Sequence, residues 1–267
     1  MSAAADHLAE QQPPVLRADA DGIATLTLNR PAQYNTLSHA TIEALSKALA
    51  AIAADERVRV VVIASTGRAF STGHDMKEMR ANRDEAFYRR LLADCSAMMQ
   101  SIVALPQPVI AKVHGIATAA GCQLVASCDL AVAAASARFA TSGINYGLFC
   151  ATPAVALSRN VARKHALEML FTGDFIDAET AARIGLINRA VDDATLDAEV
   201  DALARRIANK SGYAIRLGKA SFYAQADQAL DGAYRCASAD LVRNLLAADG
   251  IEGVDAFFEK REPRYDR

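Results

Sequence analysis

Along the first half of the chain the apolar positions switch between a period of two and a period of three to four. Ile23 to Leu28 alternates, with Ala24, Leu26 and Leu28 on one face and Thr25 and Thr27 on the other, which predicts a half-buried strand. Asn29-Arg30-Pro31 ends it. Ser38 then stands as an N-cap ahead of Ile42, Leu45, Leu49 and Ile52, whose spacing predicts a helix with one buried stripe. Val58 to Ala64 is a nearly continuous β-branched run, the pattern of a strand buried on both faces. A longer helix is marked by Leu91, Cys95, Met98 and Ile102 and ends at Pro106 and Pro108. Val109 to Val113 is the next buried strand, a helix follows from about Gly121 to Ser127, and Leu130 to Ala133 is a further strand. This alternation predicts an α/β fold with parallel pairing.

From Thr152 onward the pattern is mostly helical. Ala178 to Ile184 is a short helix with Gly185 at its C′ position. Helices are expected at 194–210, 212–225, 231–248 and 251–259. No linker rich in Gly, Ser or Pro separates the halves, and no repeat of fixed period is present. The expected division is a tail at 1–14, a core at 15–200 and a helical region at 201–267. In that last region Leu217, Phe222, Leu230 and Tyr234 have no obvious cover within one spiral.

The 267 residues are 52% hydrophobic and 22% charged, which predicts a well-filled core. A formal net charge of -2 supplies no field that would recruit nucleic acid or an anionic membrane. No apolar run approaches the roughly 20 residues of a membrane span. Met1 to Pro14 lacks a basic segment followed by an apolar core, so it reads as a polar tail and not as a secretory signal. The five cysteines, Cys95, Cys122, Cys128, Cys150 and Cys236, form no C-x-x-C pair, which predicts a reducing, cytoplasmic setting without disulfides or zinc.

Two short segments carry the candidate chemistry. Phe70-Ser71-Thr72-Gly73-His74-Asp75 and His114-Gly115-Ile116-Ala117-Thr118-Ala119-Ala120-Gly121-Cys122-Gln123-Leu124 each place small residues after a predicted buried strand. Two backbone N–H groups freed there and aimed at one point would form an oxyanion hole. Ala120 lies at a predicted helix N-terminus, where unpaired N–H groups and the positive end of the dipole favour an anion.

Both segments resemble the oxyanion-hole loops of the enoyl-CoA hydratase/isomerase (crotonase) family. The likeness extends through Leu28-Asn29-Arg30-Pro31, Ala69 to Met79, Pro108 to Ala111, Cys128-Asp129, Phe171-Thr172-Gly173, Gly185-Leu186 and Ala256 to Arg261. It implies a spiral of ββα turns followed by a C-terminal helical region that mediates trimerisation, with a homotrimer or dimer of trimers as the assembly. The ligand implied is an acyl-CoA thioester, so coenzyme A enters as part of the substrate and not as a permanently bound cofactor. By the same likeness the oxyanion donors are the N–H groups of His74 and Ala120. Asp75, Met76 and Lys77 fall in the stretch that lines the adenine and ribose of coenzyme A. Lys260 matches a position that approaches the cofactor phosphates, often from the neighbouring subunit.

The chain departs from the family where its hydratases carry two catalytic glutamates, here Gln123 and Gly143. Gln123 can orient a water but cannot take its proton as a carboxylate does. If the scaffold is otherwise intact, restoring both acids should raise hydration. His74 replaces a common alanine, and two roles stay open: its N–H alone, or its imidazole as a donor to a carboxylate or enolate. Asp75 reads equally as a helix-start cap and Lys77 as a solvated lysine. Cys150, His114 and Asp129 read better as structural than as catalytic residues. Met76, Met79, Leu91, Met98 and Phe149 are candidates for an acyl pocket, although core packing suits most of them. Gly73-His74-Asp75, Ala119 to Gln123 and Gly147 to Cys150 resemble the enoyl-CoA hydratase domain-containing subgroup, and Gly73-His74-Asp75 with the altered second-glutamate segment at Gly143 also resembles methylmalonyl-CoA decarboxylase. Three functions remain open: an acyl-CoA enzyme of the decarboxylase or thioesterase kind, a weak hydratase, and a non-catalytic acyl-CoA binder.

Overall fold

A computed structural model of the protein describes residues 12–265. Its strands, in chain order, are β1 (Val15–Ala20), β2 (Ile23–Leu28), β3 (Val60–Ser65), β4 (Ala69–Ser71), β5 (Val109–Val113), β6 (Ile116–Thr118), β7 (Leu130–Ala134), β8 (Arg138–Ala140), β9 (Ile176–Asp177) and β10 (Arg189–Val191). One sheet has the order β1-β2-β3-β5-β7-β10 and the other β4-β6-β8-β9. Each turn of the chain lays one strand in the larger sheet and the next in the smaller: β3 then β4, β5 then β6, β7 then β8. This is the expected spiral of ββα turns. Within the parallel series β2–β3, β3–β5 and β5–β7, the inner strands β3 and β5 are the ones the sequence marks as buried.

Helix α1 (His39–Ala53) starts at Ser38, whose hydroxyl accepts from the Thr41 N–H, and buries Ile42, Leu45, Leu49 and Ile52. Each such side chain contributes about 1.5–3 kcal/mol on leaving water. Two further helices, α2 (Met76–Ala81) and α3 (Glu85–Ala104), follow β4. Helix α4 (Ala120–Ser127) follows β6, and all eight of its residues are buried. After β8 come α5 (Ala151–Asn160), α6 (Arg163–Thr172) and α7 (Ala178–Arg183). Helix α8 (Leu196–Ala208) covers the other face of the large sheet, with Leu196, Val200 and Ala204 packed in one cluster with Ile23, Val60, Val62, Ile110 and Val132. The expected division at 200/201 falls inside α8. The chain leaves the sheet only after Ala208, in α9 (Gly212–Ala226), α10 (Leu230–Leu246) and α11 (Ala248–Glu259).

Those last three helices bury only Gly212 and Ala256 among their residues, while Phe222, Leu230, Tyr234, Leu241, Leu245, Leu246, Phe257 and Phe258 are exposed. They are held to the spiral by Asp129, which opens the turn into β7. Lys219 Nζ of α9 donates to Asp129 Oδ2 at 2.7 Å and to the carbonyls of Ile102 and Gln107 at 3.0 and 3.1 Å. Tyr223 donates to Asp129 Oδ1 at 2.9 Å, and the Val109 N–H to Oδ2 at 2.7 Å.

At the other end, β1 pairs antiparallel with β2. Of the tail expected at 1–14, residues 1–11 lie outside the described ones. The rest is tied down: Asn29 Nδ2 donates to Gln12 Oε1 at 3.0 Å, and the Asn29 N–H to the Pro14 carbonyl at 2.8 Å.

Candidate functional site

Strands β4 and β6 are parallel neighbours, so the loops that follow them leave the small sheet side by side. Gly73 is the point of contact. Its φ is +84°, and a Cβ added there would lie 2.9 Å from the Ala120 nitrogen, 2.9 Å from Ala119 Cβ and 3.2 Å from the Thr118 carbonyl. Only glycine takes both this backbone and this proximity. Gly121 makes the second approach: a Cβ there would stand 2.1 Å from the Ser71 carbonyl, so the first turn of α4 sits directly on the end of β4.

This arrangement leaves α4 with a buried and uncapped N-terminus. Its N-cap, Ala119, has no side chain that could accept from the first turn. It also takes φ +51°, ψ −122°, a conformation that costs a non-glycine residue about 1–3 kcal/mol. A buried helix start without partners leaves its N–H groups for something else. On the facing loop the Leu37 N–H donates to the Gly73 carbonyl at 2.7 Å, within an isolated parallel bridge between Leu37 and His74. Such a bridge uses the groups of His74's neighbours and turns its own N–H to the opposite side.

Two side chains here have polar atoms that are buried and unpaired. Gln123 is 5% exposed, one helical turn beyond Ala120, and its Oε1 has no partner. His74 Nε2 is likewise buried and unpaired, and burial holds the imidazole below its ordinary pKa, so it is neutral at pH 7. The carboxylates that follow His74 are committed to local structure. Asp75 caps α2, with Oδ1 accepting from the N–H groups of Lys77 and Glu78 at 2.8 and 3.1 Å and Oδ2 from Thr36 at 3.3 Å. Glu78 accepts from the His39 N–H at 3.0 Å.

Gly143 follows β8, in a turn of 3-10 helix at Ser142–Tyr146. A Cβ at Gly143 would lie 2.6 Å from the Leu148 carbonyl and 2.8 Å from Cys150 Sγ. The space for a side chain is therefore filled, so a glutamate at Gly143 would have to displace Leu148 and Cys150 before it could pair with one at position 123. Burial raises the thiols of Cys150 and Cys122, the latter to about 12, so neither is an activated nucleophile.

The structure thus gathers His74, Ala120 and Gln123, with Asp75, Met76 and Lys77 continuing from His74 into α2. Met76 and Lys77 are exposed. Lys260 ends α11 in a left-handed conformation, its N–H donating to the Phe257 carbonyl at 3.3 Å, and no described interaction joins it to the loops of its own chain. The reading of the sequence passes over Thr118 and Ser142, whose hydroxyls lie 2.8 Å apart between the two strand ends. Their signal was position alone, beside Ala119 and Gly143. A cleft of about 980 Å³ opens at the opposite end of β2 and β3, near Gly22, Arg59 and Lys210, and contains none of these residues.

The family model described as enoyl-CoA hydratase/isomerase matches residues 18–267. Enoyl-CoA hydratase domain-containing protein 3, mitochondrial, of Rattus norvegicus is 46% identical over 243 residues, covering 91% of this chain and 81% of its own. The Homo sapiens protein of that name is also 46% identical over 243 residues, covering 91% and 80%. A crystal structure of enoyl-CoA hydratase from Mycobacterium smegmatis has a TM-score of 0.94 at 52% identity and covers 95% of this chain and 99% of that one. The crystal structure of human enoyl Coenzyme A hydratase domain-containing protein 3 has a TM-score of 0.92 at 45% identity, covering 94% and 100%. The cytoplasmic expectation is overturned by the relatives, since five vertebrate proteins of this set are mitochondrial by name. Unpaired cysteines speak to reducing conditions and not to the compartment that supplies them. Among the described residues no helix is long and apolar enough to cross a membrane. On its sequence, its fold and the two loops that meet at Gly73 and Ala120, the chain belongs to the enoyl-CoA hydratase/isomerase family.

Proposed function

We propose that the protein binds an acyl-CoA thioester with its carbonyl oxygen between the N–H groups of His74 and Ala120, and stabilises the enolate that forms there. The observation that carries this reading is the buried, uncapped start of α4 held against Gly73. Oriented N–H groups in a site without water favour the oxyanion over the neutral carbonyl, which is differential binding of the transition state. The adenosine end of coenzyme A would run past Asp75, Met76 and Lys77, and Lys260 of a neighbouring copy would meet its phosphates. That arrangement makes the active assembly a homotrimer or dimer of trimers, and the exposed apolar side chains of α10 and α11 are suited to such burial.

Hydration is the reaction this site supports least. It needs a base for water and an acid for the α-carbon, each worth roughly 10²–10⁴ in rate. Gln123 supplies neither, and the space at Gly143 is closed. A specific observation favours decarboxylation of a malonyl-type thioester: the side chains left unpaired, His74 and Gln123, are both uncharged. Departure of CO2 delivers the electron pair to the thioester without a base. A carboxylate taken from water into a site of uncharged side chains also loses solvation that its departure no longer requires.

The test is affinity for an enolate mimic. A coenzyme A thioester analogue bearing a nitronate should bind at least about 10²-fold tighter than propionyl-CoA by calorimetry. Equal affinities would point to a binder of thioesters without enolate chemistry, and absence of heat with either would remove the acyl-CoA reading.

A further inference from the structure

We propose that Ser142, oriented by Thr118, is the proton donor to the α-carbon of the bound thioester enolate; this rests on the enolate reading above. The geometry comes from the small sheet. Strands β6 and β8 are parallel and in register, with Thr118 opposite Ala140, and the Ala119 N–H donates to the Ala140 carbonyl at 3.1 Å. The chain therefore leaves these strands at one edge. One exit leads in two residues from Thr118 to the Ala120 N–H, and the other in two residues from Ala140 to Ser142. The hydroxyls of Thr118 and Ser142 meet across the gap at 2.8 Å.

The direction of that hydrogen bond decides which proton is available. Thr118 is 7% exposed, and Ser142 is the one partner of its hydroxyl among the described residues. Were Ser142 the donor, the Thr118 proton would be buried and unpaired, a costly arrangement. Thr118 therefore donates to Ser142 Oγ. Ser142 is half-buried and has no other described partner, so its own proton remains for a ligand. It adjoins Gly143, the position at which the family's hydratases carry their second glutamate. A hydroxyl cannot act as the base that hydration needs for its water, but it is far more acidic than the α-carbon of a thioester, so it protonates an enolate downhill.

The step balances. The bond from the α-carbon to CO2 breaks, and its electron pair enters the thioester as the enolate. The Ser142 O–H bond breaks as a Cα–H bond forms on that carbon. Water returns a proton to Oγ, and the hydroxide left behind combines with CO2 as bicarbonate.

The experiment is turnover of methylmalonyl-CoA in D2O, with the rate and the configuration of the deuterium in the propionyl-CoA product both recorded. The wild-type protein should place deuterium in a single configuration. Ser142→Ala should lower the rate about 10²-fold and give a racemic label. Thr118→Val should lose the selectivity, and Thr118→Ser should restore it, which a merely structural role for Thr118 would not require. If Ser142→Ala is unstable, Thr118→Val carries the test. Unchanged rate and configuration in Ser142→Ala or Thr118→Val would overturn this inference alone. No propionyl-CoA from the wild-type protein would overturn the decarboxylation reading and this inference with it.

Discussion

Ala119, Gly73 and His74 bring two backbone positions of positive φ and an unpaired buried atom together beside one helix start. Ala119 holds a φ of +51° without the relief that glycine would give. Ala119→Gly should therefore raise stability by about 1 kcal/mol in urea denaturation, since relief of strain exceeds the added entropy of the unfolded chain. Gly73→Ala acts oppositely: its Cβ meets both Ala119 and the Ala120 nitrogen, so the loops must part and thioester affinity should fall with stability. The His74 imidazole is held below its ordinary 6.5 by burial. An unfolded chain then binds the proton more readily than the folded one, so this contribution is fully present above pH 6.5 and is lost as pH falls through the lower folded value. His74→Gln should flatten that part of the stability profile. His74→Ala separates the ring from the backbone: it retains the N–H, so thioester affinity should persist. Turnover of a malonyl-type thioester is lost only if the ring itself touches the reacting groups. At the second glutamate position, Gly143→Glu with Gln123→Glu should lower stability and leave hydration of crotonyl-CoA slow, because the new side chain displaces Leu148 and Cys150.

Among the elements, α9 is held on the spiral by a polar cluster centred on the buried ion pair of Lys219 and Asp129, which Tyr223 joins. The side chains of Lys219 and Asp129 are 8% and 14% exposed, and burial lowers the lysine while Asp129 supports its charge. Asp129→Asn strands that charge and should cost about 3–5 kcal/mol in chemical denaturation, with amide exchange rising first in α9 and α10. The double variant Asp129→Asn, Lys219→Met should recover much of the loss. Asp129 was legible in the sequence only as a turn residue, because its side-chain partners, Lys219 and Tyr223, lie 90 and 94 residues on. The longer elements were legible for the opposite reason. The stripe Ile42, Leu45, Leu49, Ile52 and the run Val58 to Ala64 each fix a period within one element, and α1 and β3 appear within two residues of the expected bounds. β4, β6 and β8 were invisible, since three residues cannot establish alternation. β1 was missed because it is an edge strand with four exposed residues, and its polar face masks the pattern. Of the site, the glycines and Ala120 could be read from the two loops, whereas the closure of the space at Gly143 depends on Cys150, brought back by a turn whose path the pattern does not encode.

At the scale of the whole molecule, the spiral brings together the two loops at Gly73 and Ala120, while the last helices expose an apolar surface that one chain leaves uncovered. Light scattering at micromolar concentration should report a trimer or a multiple of three, and a stable monomer would contradict the assembly proposed above. Lys260→Ala should then weaken coenzyme A thioesters without changing turnover at saturation, because it removes a contact made equally in the ground and transition states. The central claim is that this member of the family forms an enolate without the carboxylates that hydration requires. It is tested most directly by following an equimolar mixture of methylmalonyl-CoA and crotonyl-CoA by proton NMR with the wild-type protein. Methylmalonyl-CoA should be converted to propionyl-CoA while crotonyl-CoA persists, its hydration slower by at least about 10²-fold. Rapid appearance of 3-hydroxybutyryl-CoA, at about 10 per second or more and with methylmalonyl-CoA untouched, would contradict it.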